Sequence, residues 1–182
     1  MADWIQTYTG RRVFPLAPSP SEIDIVDIAQ GLACTPRFRG HTRRPYSVAQ
    51  HSVLLSRLVD PACAFVALLH DAAEAYLSDM PAPVKRDMPE YRAAEDRLLD
   101  VIADRFGFAK FLYHGALPFH VHGADFRLCV TEARQLLPDP PLGDWDKAAE
   151  PFNIRIRPWG WRKARRRFLR RFYELIDKEL AL

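Results

Sequence analysis

A chain of 182 residues with a net charge of +3 and 48% hydrophobic residues is large enough to bury a sizeable core and ordinary for a globular protein. It contains no apolar run near the roughly 20 residues of a membrane span, and Met1-Ala2-Asp3-Trp4 lacks the basic-then-apolar pattern of a signal segment. Cys34, Cys63 and Cys129 are dispersed and odd in number, which argues against a disulfide framework or a Cys-x-x-Cys zinc ribbon and leads to a cytoplasmic expectation.

Residues 4–14 predict a short hairpin turning near Thr9-Gly10. Pro15, Pro18 and Pro20 make a stiff connector, after which Ile23, Ile25, Val26, Ile28, Ala29 and Leu32 predict a helix over 22–33, closed by Pro36. Residues 37–45 form a dense basic loop broken by Gly40 and Pro45. Ser47-Val48-Ala49-Gln50 reads as a capping box opening a helix to about Val59, with His51 on its apolar stripe. Asp60-Pro61 opens the next helix, which runs through an apolar stretch into His70-Asp71 and is followed by the helix-breaking Met80-Pro81-Ala82-Pro83. An amphipathic helix spans Pro89 to Phe106 and stops at Gly107; residues 108–117 are loop-like. A further helix covers about 119–137, with Asp125, Leu128, Cys129, Glu132 and Leu136 on one face. Residues 138–141 interrupt the chain, residues 154–157 alternate like an edge strand, and a basic helix spans 161–180. With no repeat and no low-complexity linker, the expectation is one domain over 1–182, all-α with at most a small β-hairpin or edge strand.

Glu74 lies four residues beyond His70 and three beyond Asp71, so one helical surface can carry all three. Helix ends in a core do not normally bear adjacent ionisable groups, because an unpaired buried charge is costly. His51, His70, Asp71 and Asp125, each on an inward stripe, supply two imidazoles and two carboxylates. Such a set can hold one divalent ion and leave coordination positions open. Taken singly, His51 reads as a hydrogen-bonded core histidine and Asp125 as a paired core carboxylate; together they favour a metal.

These four residues resemble the ligand pattern of the HD-domain phosphohydrolase superfamily. The longer run His70-Asp71-Ala72-Ala73-Glu74 through Asp79-Met80-Pro81-Ala82-Pro83-Val84-Lys85 is similar to the 5′-deoxynucleotidases of that superfamily, as is Ser47 to Ser52, although Gln50 stands where those enzymes usually have Glu. The chain also resembles short phage and bacterial HD proteins that include triphosphohydrolases acting on dATP. The resemblance covers about residues 22–137. It implies an HD-type helical bundle in which His51, His70, Asp71 and Asp125 bind one divalent transition metal (Co, Mn, Zn or Mg). It further implies that Glu74 and Asp79 act around the water nucleophile or leaving oxygen, and that Arg37 grips phosphate. Arg39 or Arg43 is the alternative phosphate ligand, and Lys85 is either a substrate contact or a surface lysine. Trp4, Tyr8 or Phe38 is expected to help read the base. His114, His120 and His122 raise the alternative of a second ion; one per chain is the expectation.

The functional expectation is therefore hydrolysis of deoxynucleotide phosphate esters. The number of basic groups, Arg37, Arg39, Arg43, Arg44 and Lys85, inclines it to a deoxynucleoside triphosphate triphosphohydrolase over a 5′-deoxynucleotidase. Between Pro151 and Tyr173 the chain carries nine basic residues and no acidic one, the mark of a solvated face, a phosphate patch or a subunit contact. A nucleic-acid-binding protein built on this run is the reading of another class, disfavoured because no metal ligand is missing; a non-catalytic nucleotide sensor is a third. A homo-oligomer is expected, with the apolar stripe at 161–176 as its interface.

Overall fold

A computed structural model of the chain describes residues 3–112, 118–139 and 149–179. It is all-α with a two-stranded antiparallel hairpin. The strands β1 (Ile5–Gln6) and β2 (Arg12–Val13) pair Ile5 with Val13. Gly10 at φ 84° makes the turn, a conformation that costs glycine little. Buried Asp27 binds the hairpin to the first helix, accepting from the Thr7 hydroxyl and from the Thr9 amide and hydroxyl at 2.7–2.8 Å.

Helix α1 (Ile25–Cys34) starts later than its apolar pattern predicts, because Pro20–Glu22 is a 3-10 turn and Asp24 caps the helix through the Val26 amide. Helix α2 (Val48–Leu58) is capped by Ser47, whose side chain accepts from the Gln50 amide. The reciprocal half of the expected capping box does not form. The Gln50 side chain instead donates to the Arg157 carbonyl and accepts from the Trp159 amide, at 2.9 and 2.7 Å.

After a 3-10 turn at Pro61–Cys63, helix α3 (Ala64–Leu69) is buried throughout. It does not continue as one helix through Glu74. The amides of Ala72 and Glu74 bond to the carbonyls three residues back, a tightened turn that leads into α4 (Glu74–Leu77). Helices α5 (Ala82–Lys85), α6 (Pro89–Phe106) and α7 (Phe119–Leu136) follow; α6 stops at Gly107, left-handed at φ 78°.

The edge strand expected at 154–157 is absent. That stretch runs extended beside α7, where the Gln135 amide accepts from Ile156 N and donates to the Ile154 carbonyl; one side chain satisfies the backbone a neighbouring strand would have served. Helix α8 (Trp161–Glu179) packs against α1, α2 and α3. Its apolar stripe therefore closes the core of its own chain: Ala164, Phe168, Phe172 and Leu175 are buried, Ile176 packs against them, and only Trp161 at the stripe's start is exposed. That occupies the surface expected to form a subunit interface. Among the described residues no helix is long and apolar enough to cross a membrane.

Candidate metal centre

Three segments bring their polar side chains to one point. His51 comes from the inward face of α2, His70 and Asp71 from the turn after α3, and Asp125 from α7. Asp125 Oδ1 lies 3.0 Å from His51 Nε2 and 3.9 Å from His70 Nε2. Asp71 Oδ2 lies 3.1 Å from His70 Nε2 and 3.9 Å from His51 Nε2. The four atoms close a ring of alternating nitrogen and oxygen. His51 and His70 are buried, whereas the Asp71 and Asp125 side chains are 18% and 33% exposed, so the ring opens to solvent on its carboxylate side.

Both imidazoles are turned the same way. His70 Nδ1 is 2.9 Å from the Ala67 carbonyl, which can only accept. His51 Nδ1 is 2.7 Å from Glu132 Oε1. With Nδ1–H donated outward, each neutral ring offers a bare Nε2 lone pair to the shared space. Six buried side-chain polar atoms lack a hydrogen-bond partner among the described residues. Four are the ring atoms, and a fifth is Glu74 Oε2. An unsatisfied buried polar atom costs about 1–3 kcal/mol, and lone pairs facing carboxylate oxygens repel unless a cation or proton lies between. Four donors about 2.1 Å from one ion stand roughly 3.0–3.4 Å apart along adjacent edges. The observed adjacent edges are 3.0–3.9 Å. His51, His70 and Asp125 have donor atoms all within 4.8 Å of one another and fit a divalent ion, and Asp71 flanks that trio through His70 at 3.1 Å.

Behind the ring sits Glu132, fully buried on α7. Its Oε1 accepts from Tyr46 at 2.7 Å and faces His51; its Oε2 accepts from Arg37 Nε and Nη2 at 3.2 and 3.1 Å. Burial pushes the Glu132 carboxyl up, but His51 and Arg37 outweigh it and hold it below its ordinary value. Burial and then Arg37 push His51 down, yet Glu132 and Asp125 hold it raised to about 10. Asp71 is likewise pushed up by burial and brought down by His70 and then His51 to about 2. Asp125 falls below the usual carboxylate range, the approach of His51 overcoming its burial. Without an ion, His51 is thus favoured in its protonated form among ionised carboxylates.

The remaining predicted site residues stand around this ring in different ways. Glu74 is buried, and burial, reinforced by Asp71 and Asp79, raises its carboxyl to about 10. Asp79 is half-buried and raised for the same first reason. Its carbonyl is held by Arg39 at 2.6 Å, and the preceding Ser78 carbonyl by Tyr91 at 2.5 Å. Arg37 directs its guanidinium inward onto Glu132, with Nη1 3.8 Å from Asp71 Oδ2. Lys85 is paired with Glu95 of α6 at 2.7 Å. Phe38 flanks the Arg37 guanidinium at 5.7 Å. Phe38 and Arg39 both adopt φ 52°, left-handed conformations costing such residues roughly 1–2 kcal/mol each. That strained loop sends Arg37 inward and Arg39 across to Asp79.

Of the aromatic residues expected to read a base, only Phe38 is joined to the site; Trp4 stacks on Arg12 and Tyr8 on Arg165 of α8. His120 and His122 are exposed on α7, and His114 lies outside the described residues. The helical period puts Glu132 on the Asp125 face but does not expose its role. Tyr46, between Pro45 and the Ser47 cap, carries no signal in one sequence.

An all-α protein whose buried imidazole pair and carboxylates form a solvent-opened, cation-sized ring is the class defined by fold and site together. No family model matches the chain. The chain belongs to the family of the uncharacterized protein YfdR of Escherichia coli, with which it is 38% identical over 155 residues, 83% of this chain and 84% of YfdR. It is also similar to the uncharacterized protein RCAP_rcc00048 of Rhodobacter capsulatus, 40% identical over 114 residues that span 57% of this chain and 58% of that protein.

Proposed function

We propose that the protein is an HD-type, metal-dependent phosphohydrolase of deoxynucleotides, acting on a deoxynucleoside triphosphate to release deoxynucleoside and triphosphate. The observation that carries this reading is the set of four unpartnered, buried ligand atoms on His51, His70, Asp71 and Asp125. When bound there, a divalent cation supplies the positive charge that lowers the pKa of its water and of a neighbouring carboxyl and polarises a phosphoryl oxygen. The chain's own residues do the rest. Glu74 exchanges a proton at its unpartnered Oε2, the atom nearest the task of general base. Asp79 stands on the same rim for the leaving oxygen. Arg37 keeps Nη1 free of the Glu132 contact and turned toward Asp71, beside the reacting phosphate.

Triphosphate is favoured by the loop that follows. Among the described residues, the side chains of Arg39 and Arg43 bond to the carbonyls of Asp79 and Pro138 and to no carboxylate, and Arg44 is exposed. A 5′-deoxynucleotidase is the second reading, favoured by the ion pairs that already neutralise Arg37 and Lys85. The deciding experiment incubates the protein with dATP and with dAMP in Mn²⁺ or Co²⁺. Triphosphate and deoxyadenosine from dATP, lost in His70→Ala, are expected. Orthophosphate from dAMP alone moves the assignment to the second reading, and no product from any deoxynucleotide refutes both.

A further inference from the structure

Two open hollows of about 420 Å³ each lie along the outer side of α8 and share Arg166. None of their lining residues belongs to the metal ring. The first is walled by Arg57 of α2 with Arg166, Arg167 and Arg170, and no carboxylate lines it. The second adds the exposed rings of Tyr8 and Trp161 to Arg162, Arg165 and Leu169. One hollow has the chemistry of a phosphate cradle and the other that of an aromatic platform.

These arginines are partly pre-set. Arg167 rests on Trp159 at 4.5 Å, and Arg165 stacks on Tyr8 at 4.7 Å while bonding Gln30 at 3.0 Å. Arg171 donates to the Ser56 carbonyl and hydroxyl at 2.8 and 3.1 Å. Among the described residues, Glu174 pairs with two of these arginines, 2.8 Å from Arg170 and 3.7 Å from Arg171. Guanidiniums gathered round one hollow repel each other and weaken the fold, an arrangement an anion relieves. Burial and then the charge of Arg57 hold Arg171 below its ordinary value, in keeping with that crowding.

We propose that this face binds single-stranded nucleic acid, the arginine hollow taking backbone phosphates and the Tyr8–Trp161 hollow taking a base. Stacking platforms interleaved with cations are how single strands are held without reading sequence. A strand is favoured over a free nucleotide by extent. From Trp161 to Arg170 the helix advances roughly 13 Å, both hollows are open, and the same basic run of sequence carries further exposed cations at Arg155, Arg157 and Lys163.

The test is fluorescence anisotropy of a labelled oligothymidylate with the full chain carrying His70→Ala, so that nothing is hydrolysed. Binding that weakens with salt is expected, with a log–log slope of about −0.7 for each phosphate contacted. Adding Arg57→Ala, Arg166→Ala and Arg170→Ala should weaken it by at least about tenfold. The same three positions changed to Lys should retain most of the affinity, which a misfolded protein would not. Tyr8→Ala should weaken binding with little change in the salt slope. The proposal is overturned if no strand binds, if the alanine variant binds as well as its parent, if duplex of equal length binds as tightly, or if dATP at equal phosphate concentration displaces the strand.

Discussion

Glu132 is where His51, Tyr46 and Arg37 converge, and it is fully buried. Its carboxylate fixes which His51 nitrogen faces the ring and holds the Arg37 guanidinium in place. Glu132→Gln keeps an acceptor for His51 but turns a donor toward Arg37. Divalent-ion affinity should fall roughly 10–100-fold, the usual effect of losing such a partner, as read by calorimetric Mn²⁺ titration; unchanged affinity would remove Glu132 from the design. The same groups set a pH dependence. His51, raised from an ordinary 6.5 to about 10, contributes stability that is complete below 6.5 and lost as pH climbs through 10. Glu74, raised from 4.5 to about 10, loses its contribution over the same climb from 4.5 upward. Asp71, lowered from 3.8 to about 2, contributes above 3.8 and loses that as pH falls toward 2. The metal-free protein thus holds protons at alkaline pH where an ion could replace them. Mn²⁺ should therefore raise the melting temperature more at about pH 8 than at about pH 5.5. A thermal shift that shrinks with rising pH would contradict a site where ion and protons compete.

Gln50 joins two elements, since both ends of its amide are spent on the backbone leading into α8. The amide both donates to Arg157 O and accepts from Trp159 N, whereas a carboxylate only accepts. Gln50→Glu would set a carboxylate against a carbonyl oxygen, and should lower unfolding free energy by about 1–3 kcal/mol, measured by urea titration; a neutral result would mean the segment is held by other contacts. Gly31 has a similar duty between α1 and α4. A Cβ there would stand 2.8 Å from the Cβ and carbonyl oxygen of Ala75. Gly31→Ala should cost about 1–3 kcal/mol and disturb the turn carrying His70, Asp71 and Glu74. Much of this scale was legible in the residues. The limits of α6 and α7, the Gly10 turn and the inward positions of His51 and Asp125 follow from periodicity and caps, which are local. What escaped was decided by distant partners. Gln50 left its capping box for residues more than a hundred positions away, Gln135 took the place of a strand beside 154–156, and Tyr46 and Glu132 acquired meaning only once α2 and α7 met.

At the scale of the molecule, a helix that contributes no ligand to the ring packs against elements that do. Helix α8 lies against α1, α2 and α3, its Arg171 is fastened to Ser56 of α2, and Gln50, the neighbour of His51, is fastened to the chain just before it. Its apolar stripe was readable from spacing, but a stripe alone does not say whether it covers its own core or another subunit; burial of Phe168 in the core, and of Phe172 against Phe65 and Phe106, decides for the former. Coupling between that stripe and the proposed metal site follows. Phe168→Ala empties a site of zero exposure and should cost about 3–5 kcal/mol, whereas Phe119→Ala, at 86% exposure on the surface of α7, should change little. If α2 is held in register by α8, the Phe168→Ala protein should also bind Mn²⁺ more weakly, because part of the binding energy is then used to restore the fold. Saturating Mn²⁺ should in turn recover part of the lost melting temperature. Urea unfolding with and without Mn²⁺, followed by far-ultraviolet circular dichroism and tryptophan fluorescence, measures both. A Phe168→Ala protein destabilised as stated but binding Mn²⁺ with parental affinity would show that the ring stands independently of α8.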